Sequence, residues 1–123
     1  MKKNKKINLL DLTPFRKHEH RIDTDGNVEI LIPRFRNRKI QKILLLNKKK
    51  SPFFVLHLDK IGSETWLLMD GYKKIQNICD DLSEKFGEEV KPVEERVCQF
   101  ITTLYQNGYI AFKELQKGGK ESS

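Results

Sequence analysis

At 123 residues, 37% apolar and 33% charged, the chain has room for one domain with a modest core and strongly solvated ends. No apolar run approaches the roughly 18 residues needed to cross a bilayer, and residues 1–12 lack the apolar centre and cleavage site of a secretory signal. A cytoplasmic, non-membrane protein is therefore expected, and two distant cysteines give no basis for a disulfide framework or a zinc site.

The net charge of +7 is uneven: residues 1–60 hold 16 Lys/Arg against 6 Asp/Glu, a balance of +10, and residues 61–123 hold 8 against 11, a balance of −3. Clustered positive charge steers nucleic acid, an anionic surface or an acidic peptide, and does not choose among them.

In chain order, residues 1–12 open with Lys2, Lys3, Lys5 and Lys6 and read as a basic, disordered tail. Residues 15–22, the turn Asp23-Thr24-Asp25-Gly26-Asn27 and residues 28–33 read as a β-hairpin, because Asp-Gly supplies the positive φ of a tight turn. In the second arm Val28, Ile30 and Ile32 alternate with Glu29 and Leu31, and Pro33 ends the strand. Residues 34–50 carry Arg34, Arg36, Arg38, Lys39 and Lys42 around Ile40, Ile43 and Leu44 to Leu46; the spacing suits a short helix, and the leucine run suits a strand as well. After the turn at residues 48–52, residues 53–58 read as a third strand.

Three helices follow. Asp59 caps a helix through Met69, with Gly71 closing it. The next runs from about Lys73 to Phe86 with Ile75, Ile78, Cys79, Leu82 and Phe86 on one face, and Gly87 ends it. Pro92 sits in the first turn of the last, with Glu94 and Glu95 at the positive end of its dipole. Its stripe is Val93, Val97, Phe100, Ile101 and Leu104; Asn107-Gly108 stops it, and Tyr109, Ile110 and Phe112 return over the core. The plan is α+β and winged-helix-like: a small antiparallel sheet of three strands followed by a three-helix bundle over residues 13–113, with tails at 1–12 and 114–123.

Residues 58–110 resemble the pyrroloquinoline-quinone biosynthesis protein D (PqqD-like) family. The resemblance lies in Leu58-Asp59, Ile61-Gly62, Trp66-Leu67 and Met69-Asp70-Gly71, then Ile75, Ile78, Leu82 and Phe86. It continues in Val93, Val97, Phe100, Ile101 and Leu104, and closes on Gly108-Tyr109-Ile110. It implies a non-catalytic domain without cofactor, which binds the leader of a ribosomally made precursor peptide and presents it to a modifying enzyme, often a radical enzyme. The leader would add as a strand to Phe53, Phe54, Val55, Leu56 and His57, in a cleft walled by the last helix with Arg96, Val97, Phe100, Ile101 and Leu104. An edge strand offers unpaired N–H and C=O groups, and proline at Phe54 or Val55 is expected to remove one such donor. The basic stretch 34–50 and the Lys-rich start are not part of the family's pattern.

Other chemistries are weaker. His18, His20 and His57 make a three-imidazole metal site conceivable, but no carboxylate or cysteine spacing supports it, and surface histidines are expected. Cys79 and Cys98 read as core thiols and Trp66 as a core anchor. Asp80-Asp81 and Glu94-Glu95 diverge by about 100° on a helix, so they are not paired acids, and no enzyme is expected. A DNA-binding winged helix is the alternative suggested by charge, yet Asp80, Asp81, Glu84, Glu94 and Glu95 lie where a recognition helix needs positive charge. A structural module without a peptide ligand is the third reading. The arginines and lysines of 34–50 suit a solvated loop or a docking surface for an acidic peptide or protein.

Overall fold

The computed structural model describes residues 8–34, 37–46 and 52–116. The tails at 1–7 and 117–123, together with Arg36 of the basic stretch, lie outside the described residues. Packing begins before residue 13: Leu9–Asp11 forms a single 3₁₀ turn, the Asn8 carboxamide accepts the Leu10 N–H (3.0 Å), and Leu12 is buried in the core. At the other end Glu114 accepts the Thr13 N–H and hydroxyl, both at 2.7 Å, so the ordered body extends past 113 as well.

Strand β1 (Pro14–Arg16) pairs with β5 (Ile110–Phe112) as a two-stranded antiparallel sheet. A second antiparallel sheet has the order β2 (Glu19–Ile22), β3 (Val28–Pro33), β4 (Phe53–His57). The hairpin between β2 and β3 forms where the turn chemistry predicts it. The Asp23 carboxylate accepts the N–H groups of Asp25 and Asn27 (2.8 and 2.9 Å), and Gly26 takes φ +86°.

Its first arm is shorter than the 15–22 expected. The chain leaves β1 at Arg16 because the Arg16 guanidinium donates to the carbonyls of Trp66 and Leu67 (3.1 and 2.8 Å), and because Lys17 N–H bonds the Tyr109 carbonyl (3.1 Å). The start of the arm is thus claimed by a strand from the far end of the sequence.

The ambiguous basic stretch contains helix α1 (Arg38–Leu46), entered through Asn37, whose carboxamide accepts the N–H groups of Lys39 and Ile40 (2.8 and 3.3 Å). Helix α2 (Lys60–Leu68) starts at Asp59, whose carboxylate accepts the Gly62 N–H (2.7 Å). It ends ahead of Gly71, whose N–H bonds Pro14 (3.1 Å). Helix α3 (Ile75–Phe86) buries Ile75, Ile78, Cys79 and Leu82, and α4 (Val93–Gln106) buries Val97, Ile101 and Leu104. Spacings of three and four on each helix make those faces continuous.

The described residues therefore carry two sheets and four helices, where one three-stranded sheet and a three-helix bundle were expected. The architecture is α+β. Trp66, Met69, Ile30, Ile78, Leu82 and Ile101, all fully buried, join the helices to the inner face of β3. The Ser63 hydroxyl accepts the buried Val28 N–H (2.7 Å), which ties α2 to that strand and satisfies a donor that would cost about 1–3 kcal/mol if left unpaired. Among the described residues no helix is long and apolar enough to cross a membrane.

Candidate functional site

The three-stranded sheet has two margins of opposite character. The β2 margin is short and carries Glu19 and Arg21, both exposed, charges of the kind that discourage further pairing. The β4 margin runs through Phe53, Val55 and Leu56, all half-buried, and β4 pairs with β3 alone among the described strands.

Backbone direction along β4 follows from its register. Leu58 N–H donates to Val28 (3.0 Å) and Arg34 N–H to Pro52 (2.9 Å), and the pairs between them are Ile30 with Leu56 and Ile32 with Phe54. In an antiparallel ladder every second residue bonds to its neighbour and the residues between face the other way. Phe54 and Leu56 therefore direct their backbone groups at β3, while Val55 and His57 direct theirs out of the sheet.

Side chains alternate too. Leu56 and Phe54 stand on the helix side, Phe54 half in water beneath the Arg34 guanidinium, 4.3 Å from its ring centre. Val55 and His57 stand on the opposite face, where Glu29 bridges His57 Nδ1 (2.9 Å) and Arg21 Nε (2.6 Å). That bridge holds the end of β4 in place.

Beside the His57 end of this margin lies a cavity of about 400 Å³, bounded by His57, Ile61, Gly62, Val97 and Phe100 with Arg96 at its lip. A shallower hollow of about 260 Å³ continues along α4 past Gln99 and Thr103. Gly62 makes the first cavity possible. A Cβ there would stand 3.1 Å from Asp59 Oδ1, tight against the helix cap, and 3.6 Å from Phe100 Cζ, in ordinary contact with the aromatic wall. Arg96 is exposed, and one guanidinium nitrogen is fixed by the Glu89 carbonyl (2.9 Å).

Helix period sorts the expected site residues. Arg96 and Phe100 lie on the outward face of α4 with Gln99 and Thr103, and they line the groove. Val97 is 4% exposed and forms its floor. Ile101 and Leu104 are fully or nearly fully buried in the core and are not among the residues that line the groove. Ile61, Gly62, Gln99 and Thr103 line the groove and were missed. The spacing of Arg96, Phe100 and Thr103, three and four apart beside the apolar stripe, was a legible signal. A glycine in the first turn of a capped helix was another.

The remaining candidates disperse. His20 Nδ1 accepts the buried Trp66 indole N–H (3.1 Å), His18 packs edge-on against Tyr109 (5.8 Å between centres), and His57 pairs with Glu29. The three imidazoles thus have separate partners, and the described residues hold no cluster of three or more His, Cys, Asp or Glu side chains fit for a metal. Burial pushes the Cys79 thiol up to about 12, helped by Cys98, Glu94 and Asp80, and burial raises Cys98 also, so both stay protonated and unreactive at neutral pH. Asp80, Glu84, Glu94 and Glu95 are exposed on α3 and α4, and Asp81 pairs with Lys73 (3.3 Å). DNA approaching those helices would meet like charge.

Together these features define a small α+β domain built around a groove at a sheet margin. A family model described as Coenzyme PQQ synthesis protein D (PqqD) matches residues 43–110, more than half of the chain, and the chain belongs to that family. The match begins inside α1 and takes in β4, the groove and α4. The family is one of non-catalytic, peptide-binding accessory proteins. No curated protein and no solved structure matches the chain.

Proposed function

We propose that this protein binds the leader of a ribosomally made precursor peptide as an added strand on β4 and presents it to a peptide-modifying enzyme, itself performing no chemistry. The observation that carries this reading is the outward direction of the Val55 and His57 backbone groups beside the apolar cavity under Phe100. An incoming strand gains main-chain hydrogen bonds from the margin, and an alternate side chain of that strand enters the cavity. Family membership supports the same role.

Register also corrects which proline tests it. The Phe54 N–H points into the sheet, so Phe54→Pro attacks the fold. Val55→Pro removes an outward donor and leaves the β3 ladder intact. Calorimetric titration with the leader encoded beside the gene should show binding to the native protein and a loss of at least about tenfold in Val55→Pro, with the helical circular dichroism unchanged. Unaltered affinity in a folded Val55→Pro variant rejects strand addition at this margin. Duplex DNA, tested in parallel, should not bind at physiological salt.

A further inference from the structure

Helix α1 is not accounted for by the groove. Arg38, Lys39 and Lys42 are exposed, α1 contains no acidic residue, and residues 34–50 hold eight Lys/Arg and no Asp/Glu. None of these three cations pairs with a carboxylate of the described residues. Three large apolar side chains of the same helix also stand in water: Ile40 at 40%, Ile43 at 64% and Leu46 at 83% exposure. Exposure of these three side chains forgoes packing that normally sustains so short a helix.

Its position is informative. Gln41 Nε2 donates to the carbonyl of Pro52 (2.7 Å), the residue directly before β4. Arg38 and Gln41 stand over a cavity of about 630 Å³ floored by Ile32, Pro33 and the Asn107–Tyr109 turn that follows α4. The β4–α4 groove begins at His57 and Arg96 and passes Thr103, so α1 stands at its other end. With Arg38 and Gln41 turned to the body, helix period turns Lys39, Ile43 and Leu46 away from it. At about 3.3 Å per residue, a strand leaving the margin past Phe53 reaches α1 within a few residues.

We infer that α1 is a second docking surface for the same peptide, one that selects leaders in which an acidic, apolar-containing segment flanks the strand-forming part. The inference rests on the strand-addition reading and adds to it a chemical class of ligand. Opposite charge meets Lys39 and Lys42, and the apolar side chains of the segment cover Ile43 and Leu46. Nucleic acid would satisfy the cations and leave the isoleucines and leucine in water. The cations of α1 precede residue 43, where the family match begins, and Ile43 and Leu46 lie inside it.

The test uses the full chain and two synthetic forms of the leader encoded beside the gene: the natural sequence, and one with every Asp and Glu replaced by Asn and Gln. The native protein should bind the natural form about tenfold more tightly at low salt, and Lys39→Glu/Lys42→Glu should erase that difference while leaving the amide form's affinity unchanged. Val55→Pro should abolish binding of both forms. Should the two forms bind the native protein equally while Val55→Pro still abolishes both, α1 has no part in selection and strand addition survives. A leader without acidic residues on the α1 side has the same consequence. No binding of either form to the native protein rejects the strand-addition reading, and this inference with it. Binding of phosphatidylserine-containing vesicles that is lost in Lys39→Glu/Lys42→Glu, with peptide affinity unchanged, makes α1 a membrane surface and overturns the inference.

Discussion

At the scale of single residues, His20 couples a core anchor to solvent pH. Its Nδ1 accepts the N–H of Trp66, a role it keeps only while neutral. Burial lowers its pKa from the ordinary 6.5, Arg16 lowers it further, and Glu19 opposes them in part. The folded protein therefore resists a proton that the unfolded chain accepts, so stability is intact above about pH 6.5 and declines as pH falls through that value. His20→Gln keeps an acceptor and removes the titration. Thermal melts at about pH 7.5 and about pH 5.5 should show a smaller fall in Tm for this variant than for the native protein. Some fall remains, because burial and Lys17 depress His18 in the same direction. An unchanged fall would exclude His20 as the source.

At the scale of elements, a residue without a side chain borders the cavity between α2 and α4. A Cβ on Gly62 would make ordinary contact with Phe100 (3.6 Å) and stand tight only against the Asp59 carboxylate (3.1 Å), so a larger side chain there would extend into the cavity. Gly62→Val should reduce leader affinity about tenfold by filling the cavity. Stability should change by only about 1 kcal/mol, since the higher helix propensity of valine offsets the pressure on the Asp59 cap. The check is titration beside chemical denaturation; native affinity in this variant would place the ligand's side chain elsewhere. Strand β4 shows the same dependence on single positions. One residue along the chain separates a backbone donor that holds the sheet from one that a ligand can use.

At the scale of the whole molecule, the two ends of the packed body hold each other. Glu114 accepts two bonds from Thr13, and β5 pairs with β1 just inside them. Burial alone would raise the Glu114 carboxyl, but the Thr13 hydroxyl and N–H outweigh it and hold the group below its usual value. Glu114→Ala should cost about 1–2 kcal/mol in urea unfolding near neutral pH, because a charge-assisted bond is lost and the Thr13 donor goes unpaired. The native protein begins to lose that contribution as pH falls below about 4.5, the ordinary value at which the unfolded chain takes the proton, and loses it fully only once the folded carboxylate, held lower, is protonated too. A variant as stable as the native protein would show that the β1–β5 pairing suffices alone.

Local chemistry made the hairpin turn, the Asp59 cap and the core stripes of α3 and α4 legible in the chain, because each depends on residues within two turns of one another. The groove was half legible. Strand β4 and helix α4 could be named, yet the assignment of Ile101 and Leu104 to its wall required knowing which side of the apolar stripe meets the core. Three features were decided by tertiary structure alone. Residues 14–16 left the hairpin for a partner nearly a hundred positions away; α1 became a helix standing at the end of the groove; and the pairing of β4 with β3 set which of its amides face outward. Each is a choice between partners distant in sequence, and side-chain period carries no record of which partner wins.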